Sequence, residues 1–332
     1  MNILNGFESG AIEQAVAVLT AGGVVAFPTE TVYGLGADAF NPYAVTKIFE
    51  IKRRPRFDPL IVHIYSKDWM FDIAEHVPVL ATHLADRFWP GPLTIILRKK
   101  SIIPGIVTAG LSTVGIRMPS HPVALELIKT LGRPVAAPSA NPFGYISPTR
   151  AKHVIKSFKD KVRIVLDGGD SQFGIESTIV SIAADDDKVI VHRHGAIPVE
   201  EIQAMGITIE EKKGNDTCEA PGELPYHYAP VKPLIIIDTF EESLLESSSF
   251  LGFIEKKEKP TVRYIKYLSQ DGDLREAAAN FFSHLIDLDR EDISVIYAEK
   301  IPDKGLGKAM MDRLKKAAQK CVLQGVEKYD GS

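Results

Sequence analysis

At 332 residues, 45% hydrophobic and 25% charged, the chain has the length of two ordinary domains or one large one and a globular composition, which excludes disorder, collagen repeats and coiled coil. The formal charge is −4, and residues 1–200 hold 21 Lys+Arg against 19 Asp+Glu, without the basic excess from which nucleic-acid binders draw affinity. Two cysteines, Cys218 and Cys321, build neither a disulfide framework nor a four-thiolate metal site; with no apolar run of ~20 residues and no secretion-signal pattern at the N-terminus, a cytoplasmic protein is expected.

Ile12, Ala15, Val16 and Leu19 recur at helical spacing, and Gly22-Gly23 stops the helix. Val24–Phe27 is a short strand, followed by a loop of hydroxyls and glycine from Pro28 to Gly36. Asn41 is a helix cap with Pro42 at the first helical position, and Val45, Ile48 and Phe49 face inward. Strands are predicted over 60–65, 93–97, 114–118, 134–137, 164–166, 178–182 and 189–191, and helices over 79–88, 122–131 and 150–157. Many strands with interspersed helices predict one large α/β domain with a mixed sheet over residues 1–205. Residues 206–232 are acidic, weakly periodic and rich in proline, which predicts an extended linker. Strands over 234–237, 250–254, 261–264 and 293–297, with helices over 274–286 and 308–322, predict a compact parallel-sheet α/β unit over 233–332.

Standard chemical motifs are missing. Gly307-Lys308 has Pro302 at the glycine position a phosphate loop requires, and no dinucleotide fingerprint, His-Glu-x-x-His pair or Gly-x-Ser-x-Gly elbow occurs. Cys218 lies in the linker and Cys321 late in an amphipathic helix, a poor setting for a catalytic thiol.

Lys52-Arg53-Arg54-Pro55-Arg56 puts four cations in five residues. Pro55 biases Arg54 to an extended conformation, in which residues two apart share a face, so Lys52 and Arg54 converge and Arg53 points away. They form either a polyphosphate clamp or a solvated basic loop. Ser139-Ala140-Asn141, bracketed by Pro138 and Pro142 at a strand end, is either a polar ligand site or a rigid turn. His63 lies in an apolar strand, where a satisfied core histidine is the commoner outcome. Arg117 also lies in an apolar strand with no readable acidic partner; burying arginine demands a counter-charge, and a substrate carboxylate is expected. Thr29, Thr31, Thr113, Ser177 and Arg193 are further candidates.

Together, Pro28–Gly36, Lys52-x-Arg54, Ser139-x-Asn141 and Gly174–Val180 resemble the YrdC-like threonylcarbamoyl-AMP synthases, whose signature is a Lys-x-Arg…Ser-x-Asn tetrad. The linker, from Pro221-Gly222 through His227-Tyr228-Ala229-Pro230, and the last helix from Gly305-Leu306-Gly307 resemble the family's longer, two-domain form. Two departures stand out: Asp58 where the family usually has asparagine, and Glu223 in place of a methionine. The resemblance implies a YrdC-like mixed twisted sheet joined to a smaller Rossmann-like domain. It implies a nucleotidyltransferase that combines L-threonine, bicarbonate and Mg²⁺-ATP into threonylcarbamoyl-AMP and pyrophosphate, with other proteins then transferring the group to tRNA. It further implies a catalytic tetrad of Lys52, Arg54, Ser139 and Asn141. ATP contacts would be Arg54, Asp58, Thr113, Ser139, Ser147 and Arg193, and threonine contacts Thr31, His63, Arg117, Ala137 and Ser177. His227 and Tyr228 would form a linker lid, with no resident metal. The rivals are a non-catalytic RNA-binding or ribosome-maturation protein, against which the charge argues, and a hydrogenase-maturation carbamoyltransferase, whose zinc-finger cysteines are missing.

Overall fold

The computed structural model describes residues 1–183, 187–212, 219–223, 227–239 and 244–323, with side chains of the last helix to residue 319. Cys218 and the Cys321 side chain fall outside the described residues. The chain divides into two units: Met1–Phe143 with Pro148–Glu223, and Gly144–Ser147 with Leu224–Ser332.

The first unit runs β1 (Asn2–Asn5), α1 (Ala11–Thr20), β2 (Val25–Phe27), β3 (Gly34–Asp38), α2 (Pro42–Lys52), β4 (Ile61–His63), α3 (Trp69–Ile73), α4 (Val79–Phe88) and β5 (Leu93–Arg98). It continues with β6 (Thr113–Arg117), α5 (Pro122–Leu131), β7 (Val135–Ala136), α6 (Ala151–Phe158), β8 (Ile164–Asp167), β9 (Thr178–Ile182), β10 (Lys188–Arg193), α7 (Val199–Gln203) and β11 (Thr208–Glu211). These strands form one mixed sheet in the order β1-β8-β2-β3-β7-β4-β6-β5-β9-β10-β11. Asn41 caps α2 as expected, its Oδ1 accepting from the Tyr43 and Ala44 amides.

Two faces of the sheet are covered differently. On one side Ile12 and Leu19 of α1 and Leu127 and Ile128 of α5 pack on Phe27 and Leu166. On the other, Ile48 and Phe49 of α2, Leu84 of α4 and Val154 and Phe158 of α6 pack on Leu35, Val62 and Ile95. Alternation along β4, β5 and β9 turns Ile61, Ile96 and Ile179 away from that second core, and they cluster with Ala220. Beside them lies a small cleft, lined in part by Thr94, Thr113, Gly115, Glu219 and Pro221.

Two expectations change here. The 28–36 loop is shorter than the glycines suggested, because Gly34–Gly36 pair with Val25–Phe27 as the start of β3. The acidic stretch after 205 is not all linker: β11 adds to the sheet in parallel with β10, and the first unit extends to Glu223. Glu223 is anchored there by Lys212, with both carboxylate oxygens 3.0 Å from Nζ, and by His192 Nδ1 at 3.1 Å. Charge pairing of this kind leaves no hydrophobic period to read.

In the second unit, β12 (Leu234–Ile237), β13 (Ser249–Ile254), β14 (Tyr264–Ser269) and β15 (Ile296–Glu299) form a parallel sheet in the order β12-β15-β13-β14. Helices α8 (Leu274–Leu288) and α9 (Leu306–Leu323) pack together and on the sheet. The strand expected at 261–264 begins at Tyr264, and the one expected at 293–297 lies at 296–299. Tyr145 bridges Ala229, which ties residues 144–147 into this unit.

Candidate functional site

The loop from β2 to β3 winds around one hydroxyl. Thr29 Oγ1 accepts from the Thr31 and Val32 amides, each at 3.2 Å, and lies 2.6 Å from the Val32 carbonyl oxygen, a threonine turn that satisfies backbone locally. It holds Thr31 toward β6, where Arg117 Nη1 donates to Thr31 Oγ1 at 3.0 Å. Arg117 Nη2 lies 2.6 Å from Glu30 Oε1, and both side chains are under 5% exposed. The expectation that Arg117 lacks an acidic partner in the protein is therefore corrected. Glu30 is 87 positions away in sequence and reaches Arg117 only because the β2–β3 loop folds over the end of β6.

His63 is paired in register with Arg117 across β4 and β6 and meets Phe27 edge-on at 6.2 Å. Burial first, and the Arg117 charge second, hold its imidazole down to about 3. An unfolded histidine titrates near 6.5, so below that the unfolded chain binds a proton the fold refuses. Stability is complete above 6.5 and falls as pH drops toward 3. From pH 7 to pH 5 the loss amounts to about 2 kcal/mol. His63→Gln is expected to flatten this part of a pH series of thermal midpoints; an equally steep series would show that His63 is not its source.

Lys52 and Arg54 do enter the interior together while Arg53 is exposed, but the reason differs from the sequence argument. Lys52 is the last residue of α2, and Arg53 ends the helix in a left-handed conformation, φ 53°. The Arg54 amide then returns to the Phe49 carbonyl at 3.0 Å. The left-handed residue turns the chain, and no extended segment is needed. Lys52 Nζ donates to the Ser139 carbonyl at 2.5 Å and to the Asn141 carbonyl. Burial, with Arg54 nearby, pushes its ammonium well below the ordinary lysine range.

Arg54 is likewise engaged by its own chain. Nη2 pairs with Asp58 Oδ1 at 2.8 Å and donates to the Pro59 carbonyl at 2.8 Å, and Nε donates to the Asp58 carbonyl at 3.1 Å. Burial pushes the Asp58 carboxyl upward against the pull of Arg54 and Lys52. Asn141 is 1% exposed, and its Nδ2 donates to the Pro142 carbonyl at 3.0 Å. Ser139 is half-buried and bridges Gly34. Ala137 is buried, with its amide on the Ile61 carbonyl at 2.9 Å.

Arg193 and Ser177 form a second knot. Arg193 Nε and Nη2 donate to the Ser177 carbonyl at 3.1 and 3.0 Å, Nη2 also reaches Ser177 Oγ at 3.1 Å, and Nη1 donates to the Pro221 carbonyl at 3.0 Å. Ser177 Oγ lies 2.8 Å from Thr94 Oγ1. Gly195 makes this possible: a Cβ there would stand 2.4 Å from the Ser177 carbonyl carbon. Thr113, half-buried at the start of β6, lines the cleft.

Ser147, His227 and Tyr228 belong to the second unit. Ser147 is fully buried. Tyr228, 2% exposed with φ 64°, is stacked on Phe282 at 5.8 Å, and the Arg313 guanidinium lies 5.2 Å from its ring centre. Glu30 is the residue that sequence reasoning left unassigned. Its one signal was its place between two threonines in the hydroxyl-rich loop.

Comparison with known proteins extends over nearly all of this framework. A Sua5–YciO–YrdC family model described as telomere recombination matches residues 17–195, and one described as threonylcarbamoyl-AMP synthase, C-terminal domain, matches residues 197–319. The chain is similar to the threonylcarbamoyl-AMP synthase of Pyrococcus abyssi, at 40% identity over 96% of this chain and 97% of the relative. It is also similar to that of Bacillus subtilis, at 42% identity over 92% of each. Its structure is similar to the crystal structure of P. abyssi Sua5 complexed with L-threonine, with a TM-score of 0.88, 39% identity and coverage of 96% of this chain and 98% of that one.

Proposed function

The chain belongs to the threonylcarbamoyl-AMP synthase family, and from that premise we propose how its residues divide the work. The enzyme is a nucleotidyltransferase of tRNA modification that joins L-threonine, bicarbonate and ATP into threonylcarbamoyl-AMP and releases pyrophosphate. One observation carries the assignment. Lys52 ties the end of α2 to the Ser139–Asn141 segment that follows β7, in the same sheet as β3 and β6, beside which Thr31 and Arg117 meet.

The carbamate oxygen is itself the nucleophile toward the α-phosphorus, so the protein supplies position and charge. Thr31, His63, Arg117, Ala137 and Ser177 hold threonine, with Arg117 facing its carboxylate. A neutral His63 can donate or accept there without adding charge. Arg54, Thr113, Ser139 and Arg193 receive the nucleotide, and Lys52 and Asn141 shape the loop beside its phosphates. Among the described residues no group of three or more His, Cys, Asp or Glu is placed to hold a metal. Mg²⁺ is proposed to enter as part of the Mg-ATP substrate. The roles of Ser147, His227 and Tyr228 rest on the family resemblance alone, as does transfer of the product to tRNA by partner proteins. The parallel sheet of the second unit supports its reading as a Rossmann-like fold. No helix among the described residues is long and apolar enough to cross a membrane.

Asp58 places a carboxylate against Arg54, where it competes with phosphate for the guanidinium. Asp58→Asn is expected to lower the KM for ATP about fivefold, roughly 1 kcal/mol, in initial-rate measurements; an unchanged or raised KM would remove Asp58 from the surroundings of the phosphates. The activity itself is tested by mass spectrometry of the adenylate after mixing protein, Mg-ATP, bicarbonate and threonine, with serine as control. No adenylate with threonine, or equal amounts with serine, would overturn the reading.

A further inference from the structure

The ion pair under the threonine residues leaves buried polar atoms unused. Glu30 is 3% exposed, and neither of its carboxylate oxygens has a hydrogen-bond partner among the described residues. Its contact with Arg117 Nη2 at 2.6 Å is a contact of charges without an aligned N–H···O bond. Arg117 Nε and His63 Nδ1 are also buried without a hydrogen bond. Each such atom carries an uncompensated desolvation cost, larger when charged, and native structures keep few of them. Several in one place mark where a ligand supplies the missing partners. What is missing has two signs: an acceptor for the Arg117 donors and a donor for Glu30. The two ends of an α-amino acid zwitterion offer that pair.

Resting on the reading that threonine sits at Arg117, we propose that Glu30 binds the α-ammonium of threonine and takes one proton from it, making it a catalytic residue. The freed nitrogen lone pair forms the N–C bond to the bicarbonate carbon while the C–OH bond breaks. The hydroxide leaves as water with a second proton of the same nitrogen. The products of this step are carbamate and water, and Glu30 holds the one remaining proton until it passes to solvent. The Arg117 contact aims Glu30 before the substrate arrives. The absence of hydrogen bonds on Glu30 is then functional, because a carboxylate already saturated by the protein could not receive the ammonium.

The test uses the full chain and two ligands, L-threonine and 3-hydroxybutyrate, which keeps the carboxylate and hydroxyl and lacks the amine. Calorimetry on the wild type should show threonine bound at least tenfold more tightly. In Glu30→Gln that preference should shrink to less than threefold, and bicarbonate-dependent kcat should fall at least a hundredfold while the KM for ATP stays within threefold. A merely structural Glu30 would weaken both ligands alike, and an intact preference or a kcat within threefold of wild type overturns the proposal. Should Glu30→Gln fail to fold, Glu30→Asp keeps the charge but draws it back by one methylene. Its kcat should drop at least tenfold with threonine affinity within threefold, and an unchanged kcat overturns the assignment. A wild type that binds no threonine would sink the parent reading of the site instead.

Discussion

Arg117→Met should abolish most threonine binding, at least a hundredfold by calorimetry, while ATP affinity stays within threefold. The guanidinium is buried and spans Thr31 and Glu30, so its loss removes the only cation facing the substrate carboxylate in the proposed arrangement. It also strands Glu30. Breaking one partner of a buried pair costs about 3–5 kcal/mol, and the thermal midpoint should fall accordingly. The two effects separate in Arg117→Met/Glu30→Gln, where no uncompensated charge remains. Stability should then return toward wild type while threonine binding does not. Equal losses of threonine and ATP binding in the single variant, cured together in the double, would mean that Arg117 only holds the fold.

Lys52→Met should lower threonine- and bicarbonate-dependent pyrophosphate release at least a hundredfold. The methionine fills a similar volume but leaves the Ser139 and Asn141 carbonyls without their shared donor. An unmet buried carbonyl costs about 1–3 kcal/mol, enough to let the segment drift from its bridge to Gly34. Faster amide hydrogen exchange over residues 139–141 should accompany the loss. Arg53→Ala, one position on and exposed, should change turnover less than twofold. Near-normal release by Lys52→Met would remove the clasp from the mechanism.

The comparison of these two sites shows where sequence reasoning works. The inward turn of Lys52 and Arg54 was legible, though by a wrong route: an extended segment was expected where a left-handed Arg53 closes a helix. Local rules about proline constrain one neighbour, and a helix stop depends on what the following residues pack against. Ser139 and Asn141 were read as presenting their side chains to one side; what the structure shows them to share is that Lys52 binds both of their carbonyls. The Glu30–Arg117 pair was illegible because no periodicity links residues 86 or more positions apart across two strands. Glu223 was noticed only as a departure from the family, and its anchoring by Lys212 and His192 depended on β11 joining a sheet that its acidic sequence disguised.

Hydrophobic spacing and capping residues were enough to specify the longer helices, most strands and the division into a larger and a smaller α/β part, though not the short α3 and α7, because burial of one face is a local, periodic demand on the chain. The tetrad spacing was enough to specify the family. Which distant groups meet was decided by tertiary structure alone: Arg117 with Glu30, Lys52 with two carbonyls. An ion or hydrogen-bond donor can be buried only where its partner arrives from elsewhere in the chain, and that arrival is a property of the folded sheet.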